Sequence, residues 1–261
     1  MLTLDKPLRV HRIEPFDIVD AHVHLGRWPE FDLSFELDDL ESVMAQYGYS
    51  GAVVMPALVG DPLKANRHLL EKVGNDTRLY KFAWVGPRSS SYLDQVLVAW
   101  VGSMVALKAI VGMKFHPSIS QVGLYDDRMK PFLEIADDFE LPFLYHTGRT
   151  SISWPDRMMA IAPSYPKVKF ILSHLGGNAY DRIYDTMKRW PMLPDNVWVE
   201  SSTARHPDLL TRALEQWGGD RVLFGTDLPF TDQRLNFDCL RYAGLDRHTE
   251  FMGGTMLRLL K

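Results

Sequence analysis

The sequence predicts an α/β fold of the (β/α)8 TIM-barrel type, and three observations predict it. Short β-like runs alternate with longer helical stretches along the chain. Several of these runs are almost continuously apolar, as expected of parallel strands buried on both faces. The length of 261 residues suits a barrel, which typically needs roughly 250. A doubly wound sheet shares the same periodicity and is the structural alternative.

Taken in order, the strand-like runs cover residues 17–24, 52–56, 80–85, 110–115, 143–146, 170–174, 197–200 and 222–226. Amphipathic spacing predicts helices over 35–46, 63–73, 126–139, 182–189 and 207–217. Asp126 and Pro207 stand where a capping carboxylate and a first-turn proline favour a helix start. No linker or low-complexity tract divides the chain. The expectation is one domain over 1–261, with 1–16 a leader across one end and 245–261 a closing helix.

Composition narrows the class. A chain 46% hydrophobic and 24% charged reads as an ordinary globular protein. A net charge of −4 argues against non-specific binding to nucleic acid or an anionic membrane. Cys239, the single cysteine, permits no intrachain disulfide and fits a reducing compartment. The first ten residues lack the apolar core of a signal peptide. The most apolar stretch, 104–115, is interrupted by Lys108 and Lys114 and is too short to span a bilayer. The expected setting is cytoplasmic.

In a barrel, chemistry gathers at the C-terminal ends of the strands. The first predicted strand carries His22 and His24, which alternation places on one face. Two imidazoles presented together look like half of a metal site. The fourth strand ends in Lys114 and His116, the fifth in His146, the sixth in His174, and the eighth in Asp227. His11, His68, His206 and His248 fall elsewhere and read as surface or packing residues. Arg27, Arg88, Arg149 and Arg205 follow the first, third, fifth and seventh strands. Guanidinium forks bind carboxylates bidentately, so an anionic, carboxylated small molecule is the expected partner. Trp28 and Trp154 lie in such loops and can wall a flat substrate, whereas Trp100, Trp190 and Trp217 read as packing. No P-loop, dinucleotide-binding glycine turn or nucleophile elbow is present.

Five motifs carry a family resemblance. They are Asp20-Ala21-His22-Val23-His24, Gly112-Met113-Lys114-Phe115-His116-Pro117, His146-Thr147-Gly148, Ser173-His174-Leu175-Gly176-Gly177 and Phe224-Gly225-Thr226-Asp227. In this order and spacing the chain resembles the amidohydrolase superfamily of metal-dependent barrels, in its amidohydrolase-2 branch of decarboxylases and lactonases. The C-terminal Gly253-Gly254-Thr255-Met256-Leu257-Arg258-Leu259 is similar to that branch's closing helix, with Thr255 where asparagine is usual.

The resemblance implies one divalent metal per chain, held by His22, His24, His146 and Asp227. Such a ligand set suits Zn²⁺ best and also accepts Mn²⁺, Fe²⁺ or Co²⁺. It implies that Asp227 doubles as the base and that His174 polarises a substrate oxygen or shuttles a proton. Arg149, Arg27, Lys114 and Trp28 are the expected substrate contacts, with Lys114 unmodified and Arg149 the preferred anchor. The expected reaction is hydrolysis of a small carboxylated lactone, ester or amide. The alternative is non-oxidative decarboxylation of a small aromatic or unsaturated acid. The shortness of the chain favours hydrolysis. Homo-oligomers are expected from the branch.

Overall fold

The computed structural model describes residues 17–87 and 91–261. The expected leader over 1–16 and Arg88 lie outside the described residues. The strands are β1 (Val19–Trp28), β2 (Leu33–Phe35), β3 (Gly51–Pro56), β4 (Leu79–Val85), β5 (Gly112–Phe115), β6 (Pro142–Tyr145), β7 (Lys169–Leu172), β8 (Val197–Glu200) and β9 (Val222–Leu223). They form one sheet in the order β2-β1-β3-β4-β5-β6-β7-β8-β9. Every pairing from β1–β3 to β8–β9 is parallel. Among the described strands only β2 is antiparallel, folded back on the end of β1.

The sheet closes on itself. Past β9, Ala21 N–H donates to Phe224 O at 2.9 Å, Asp227 N–H to His22 O at 2.8 Å and His24 N–H to Leu228 O at 2.8 Å. Val23 and Leu228 form a parallel bridge. Eight parallel strands thus enclose the (β/α)8 barrel that the sequence predicts, and β2 is an addition to it.

The helices are α1 (Leu37–Tyr47), α2 (Pro62–Val73), α3 (Ser91–Ala106), α4 (Pro117–Ser120), α5 (Lys130–Asp138), α6 (Pro155–Ile161), α7 (Tyr180–Arg189), α8 (Pro207–Trp217), α9 (Gln233–Tyr242) and α10 (Thr255–Leu259). Pro207 does open α8, where its missing N–H costs nothing. Asp126 caps a single 3-10 turn, accepting from Arg128 N–H at 3.0 Å, and α5 starts only after it. None of the described helices is long and apolar enough to cross a membrane.

Alternation along the strands sorts side chains into two sets. Val54, Val85, Phe115, Phe143, Tyr145, Phe170 and Val199 point outward and pack under the helices. Val19, Ala21, Val53, Met55, Phe82, Leu144, Ile171 and Leu223 fill the interior. Met256 and Leu259 of α10 join this inner set from the N-terminal ends of the strands, so α10 plugs the barrel floor. Lys169 Nζ, at the start of β7, donates to Leu259 O at 2.8 Å and holds the plug.

One irregularity prepares the opposite mouth. The β1–β3 register slips between Asp20 and Val23. A one-residue slip exchanges the faces of a strand. Val19 and Ala21 therefore face inward below it, and His22 and His24 face inward above it, while Val23 and Leu25 pack outside.

Candidate metal centre

At the C-terminal mouth the barrel gathers His22, His24, Lys114, His146, His174, Glu200 and Asp227 from six strand ends. His22, His24, Lys114, His174 and Glu200 are all buried. His22 Nε2 lies 3.1 Å from His24 Nε2. Asp227 Oδ1 lies 3.3 Å from the first and 3.5 Å from the second. Lys114 Nζ is 3.0 Å from His22 Nε2 and 3.5 Å from Ser173 Oγ.

The backbone at these ends is unusual. His174, Leu175 and Asp227 have φ of 60°, 51° and 60°, in the left-handed region that non-glycine residues seldom enter. Each turn is held by the neighbouring strand. His174 N–H donates to Glu200 Oε1 at 3.0 Å, and Asp227 N–H to His22 O. Asp20 fastens the same seam, accepting from His22 N–H at 3.0 Å, Thr226 N–H at 3.0 Å and Thr226 Oγ1–H at 2.6 Å. Burial pushes the Asp20 carboxyl up to about 7 despite these donors.

Partners fix which imidazole nitrogens carry hydrogen. His24 Nδ1 faces Pro56 O at 3.1 Å, an acceptor only, so Nδ1–H donates. His22 Nδ1–H donates to Glu200 Oε1 at 2.9 Å. His174 Nδ1 faces both Ser202 O at 3.3 Å and Ser202 Oγ at 2.7 Å, so it too is the donor. His174 Nε2, 3.2 Å from His146 Nδ1, must then accept, which leaves His146 Nε2 bare. Burial drives the pKa of His22 and His146 well below the ordinary imidazole range and lowers that of His174. It pushes His116 down to about 2. Burial also lowers Lys114 to about 8. Burial opposes ionisation of Asp227, but the neighbouring His22 and His24 outweigh it and hold the carboxyl below its usual range.

This donor set fits a divalent cation. Nε2 of His22, Nε2 of His24 and Oδ1 of Asp227 converge, and the Nδ1 atoms of both histidines are tied to a carboxylate and a carbonyl, as outer partners of metal-binding imidazoles are. A tetrahedral shell with ligands about 2.0–2.1 Å from the ion has edges of roughly 3.3–3.4 Å. The observed separations of 3.1, 3.3 and 3.5 Å match such edges. Among the described residues, two groups have donor atoms mutually within 4.8 Å: His22, His24 and Asp227, and His22, His174 and Glu200. His146 belongs to neither. It stands at the same mouth, stacked on His116 with ring centroids 3.6 Å apart.

The remaining expected contacts scatter. Trp28 is buried beside His24, edge-on at 6.2 Å. Arg27 and Arg149 are exposed, and among the described residues no contact of either side chain joins it to the cluster. Trp154 is half-buried and donates to Arg149 O at 3.4 Å. Arg205 donates to Phe230 O at 3.4 Å. His206 and His248 make ring contacts with Tyr180 and Phe251, away from the centre, and His68 is exposed.

Three contributors escaped the sequence reading. Phe230 packs 5.1 Å from Trp28 and 6.2 Å from His24, and Phe31 lies 6.3 Å from Phe230, so an aromatic rim borders the imidazoles. Glu200 accepts from His22, His174 N–H, Ser202 N–H at 2.6 Å and Ser202 Oγ–H at 2.7 Å. A charged residue ending the otherwise apolar run 197–200 was its one signal. Gly225 makes room for it, since a Cβ there would sit 2.5 Å from Glu200 Oε2.

Comparison with known proteins bears on the family and the fold. The family model described as Amidohydrolase matches residues 19–247. Among curated proteins no sequence matches the chain. Among solved structures, 2,6-dihydroxybenzoate decarboxylase from Rhizobium superposes with a TM-score of 0.73 at 17% identity, covering 94% of this chain and 99% of that one. A dihydroxybenzoic acid decarboxylase from Polaromonas sp. JS666, with bound manganese and 2-nitroresorcinol, gives 0.69 at 18%, covering 94% and 97%. A candidate 2-pyrone-4,6-dicarboxylic acid hydrolase from Pseudomonas putida gives 0.68 at 15%, covering 95% and 98%. Decarboxylase and hydrolase are matched over nearly their whole lengths, so the shortness of this chain does not separate the two reactions.

Proposed function

Because the chain belongs to the amidohydrolase family, we propose that it is a metal-dependent hydrolase of a small carboxylated lactone, ester or amide. One observation carries this reading: His22 Nε2, His24 Nε2 and Asp227 Oδ1 meet at tetrahedral-edge distances. Zn²⁺ suits two imidazoles and a carboxylate, and Mn²⁺ accepts them. A bound divalent cation lowers the pKa of water from 15.7 to about 7.

Around it the side chains divide the work. His22, His24 and Asp227 hold the cation, and His146, with its bare Nε2, is the fourth ligand once its side chain turns toward them. Asp227 takes the proton of the attacking water and delivers it to the leaving group. His174 orients His146 by accepting from its Nδ1–H, and acts on a substrate oxygen when that bond is exchanged. Lys114, unmodified, places its ammonium beside the cluster where a carboxylate can pair with it. Arg149 and Arg27 contribute positive charge at the rim, and Trp28 walls the site.

The aromatic rim of Trp28, Phe230 and Phe31 favours a second reading, decarboxylation of a flat unsaturated acid. The same metal would be needed, with Asp227 or His174 delivering a proton to carbon. One experiment tests both. Purified protein is analysed for metal, loaded with Zn²⁺ or Mn²⁺, and given panels of carboxylated lactones and aromatic acids. The expected result is one metal per chain and acid release from a lactone. CO₂ release without it establishes the second reading. A protein that takes up no divalent metal sinks both.

A further inference from the structure

Glu200 is completely buried at the end of β8, and its four hydrogen bonds all come from donors. Two of these donors, the N–H groups of His174 and Ser202, are backbone amides that cannot reverse their role. Both oxygens therefore act as acceptors, as in a carboxylate. Its position is set by backbone on one side and by the bare Cα of Gly225 on the other.

From Glu200 two chains of hydrogen bonds run to His22 and to His174, whose rings stack 5.5 Å apart. On one side Oε1 receives His22 Nδ1–H directly. On the other, Ser202 Oγ spends its only hydrogen on Oε1, at 2.7 Å, and must accept from His174 Nδ1–H, also at 2.7 Å. The direction then propagates to His146, whose Nδ1–H is the donor left to face His174 Nε2. Reversing the sign at Glu200 reverses the hydrogen of His22, whereas His174 Nδ1–H is also held by the carbonyl of Ser202 at 3.3 Å.

We infer that Glu200 is a positioning residue: its carboxylate locks His22 in the Nδ1–H form and, alongside the carbonyl of Ser202, supports the same form in His174 and His146. His22 then turns a bare Nε2 toward His24 and Asp227, and His146 keeps a bare Nε2 for the same centre. The inference rests on the metal-centre reading for its consequence, and on hydrogen-bond direction alone for its premise. Replacing Glu200 by glutamine puts an amide NH₂ among these donors in either orientation. One orientation sets it against Ser202 N–H. The other sets it against His174 N–H as well as His22, and His22 escapes by moving its hydrogen to Nε2 and so covers the lone pair.

The test reads imidazole ¹⁵N shifts in the full-length, metal-free protein, followed by Zn²⁺ and Mn²⁺ titration. Wild type is expected to show His22 and His174 as Nδ1–H. Glu200→Gln shifts His22 toward Nε2–H and weakens metal binding by about 10–100-fold, the usual effect of losing an outer partner. Ser202→Ala removes an oxygen 3.3 Å from His22 Nδ1 and 2.7 Å from His174 Nδ1, yet both are expected to keep Nδ1–H, held by Glu200 Oε1 and by the carbonyl of Ser202. Wild-type His22 carrying its hydrogen on Nε2 overturns the inference, even if Glu200→Gln fails to fold. So does a folded Glu200→Gln with unaltered tautomers and affinity. Wild type with the expected tautomers and no metal affinity sinks the proposed function instead, and leaves the directional lock standing.

Discussion

At the scale of single residues, the site rests on a carboxylate with two tasks. Asp227 faces His22 and His24 through Oδ1 and sits at a left-handed φ. Asparagine tolerates that conformation well, so Asp227→Asn is expected to fold. It cannot accept a proton, and kcat should fall by about 10²–10⁴, while metal analysis shows weakened but measurable binding. A variant with wild-type kcat removes Asp227 from the chemistry. Arg149 is a separate matter, because it is exposed and outside the cluster. If it anchors a carboxylate, Arg149→Ala raises KM about tenfold or more, the scale of one charge-assisted pair, with metal content unchanged. An unaltered KM passes that role to another cation. The pair His22 and His24 was legible because strand alternation is local. Glu200 and the link from His174 to His146 were not, because their meaning depends on which strand ends meet across a closed sheet.

At the scale of elements, strands and capped helices were readable to within a few residues, as α8 at Pro207–Trp217 shows. The exceptions have physical causes. Helix α3 has Asp94 as its lone charged residue in SYLDQVLVAWVGSMVA, so it shows no polar face to mark a 3.6-residue period. The β1–β2 hairpin pairs only three residues of β2, too few for a periodic signal, yet its turn brings in Phe31. The closing seam between β1 and the segment after β9 was also unreadable, and it carries Asp227. Thr226 Oγ1 donates to Asp20 Oδ2 and accepts from Leu228 N–H at 3.2 Å. Thr226→Val keeps the shape and strands both partners in a buried place. Each loses about 1–3 kcal/mol, so the urea midpoint should fall clearly. Metal affinity should fall with it, because the seam sets where Asp227 stands. Unchanged stability means that the seam is held by its backbone bonds alone.

At the scale of the whole molecule, the barrel separates what keeps it folded from what it does. The floor is apolar: Met256 and Leu259 of α10 seal the inner cluster of Val19, Ala21, Val53 and Leu223. The mouth is polar, crowded with buried imidazoles and carboxylates that no apolar core would choose, and paid for in burial free energy elsewhere. Conservation of shape at the floor should therefore govern stability without touching chemistry. Met256 is buried, so Met256→Ala opens a cavity, at a cost of about 2–5 kcal/mol. Its metal affinity and KM should stay within twofold of wild type, in contrast to Thr226→Val, which perturbs both stability and site. The contrast is informative because both residues lie near the closing edge of the sheet, one below the register slip and one above it. If Met256→Ala also loosens metal binding, strain travels the length of β1, and the two ends of the barrel are one cooperative unit rather than a scaffold and a site.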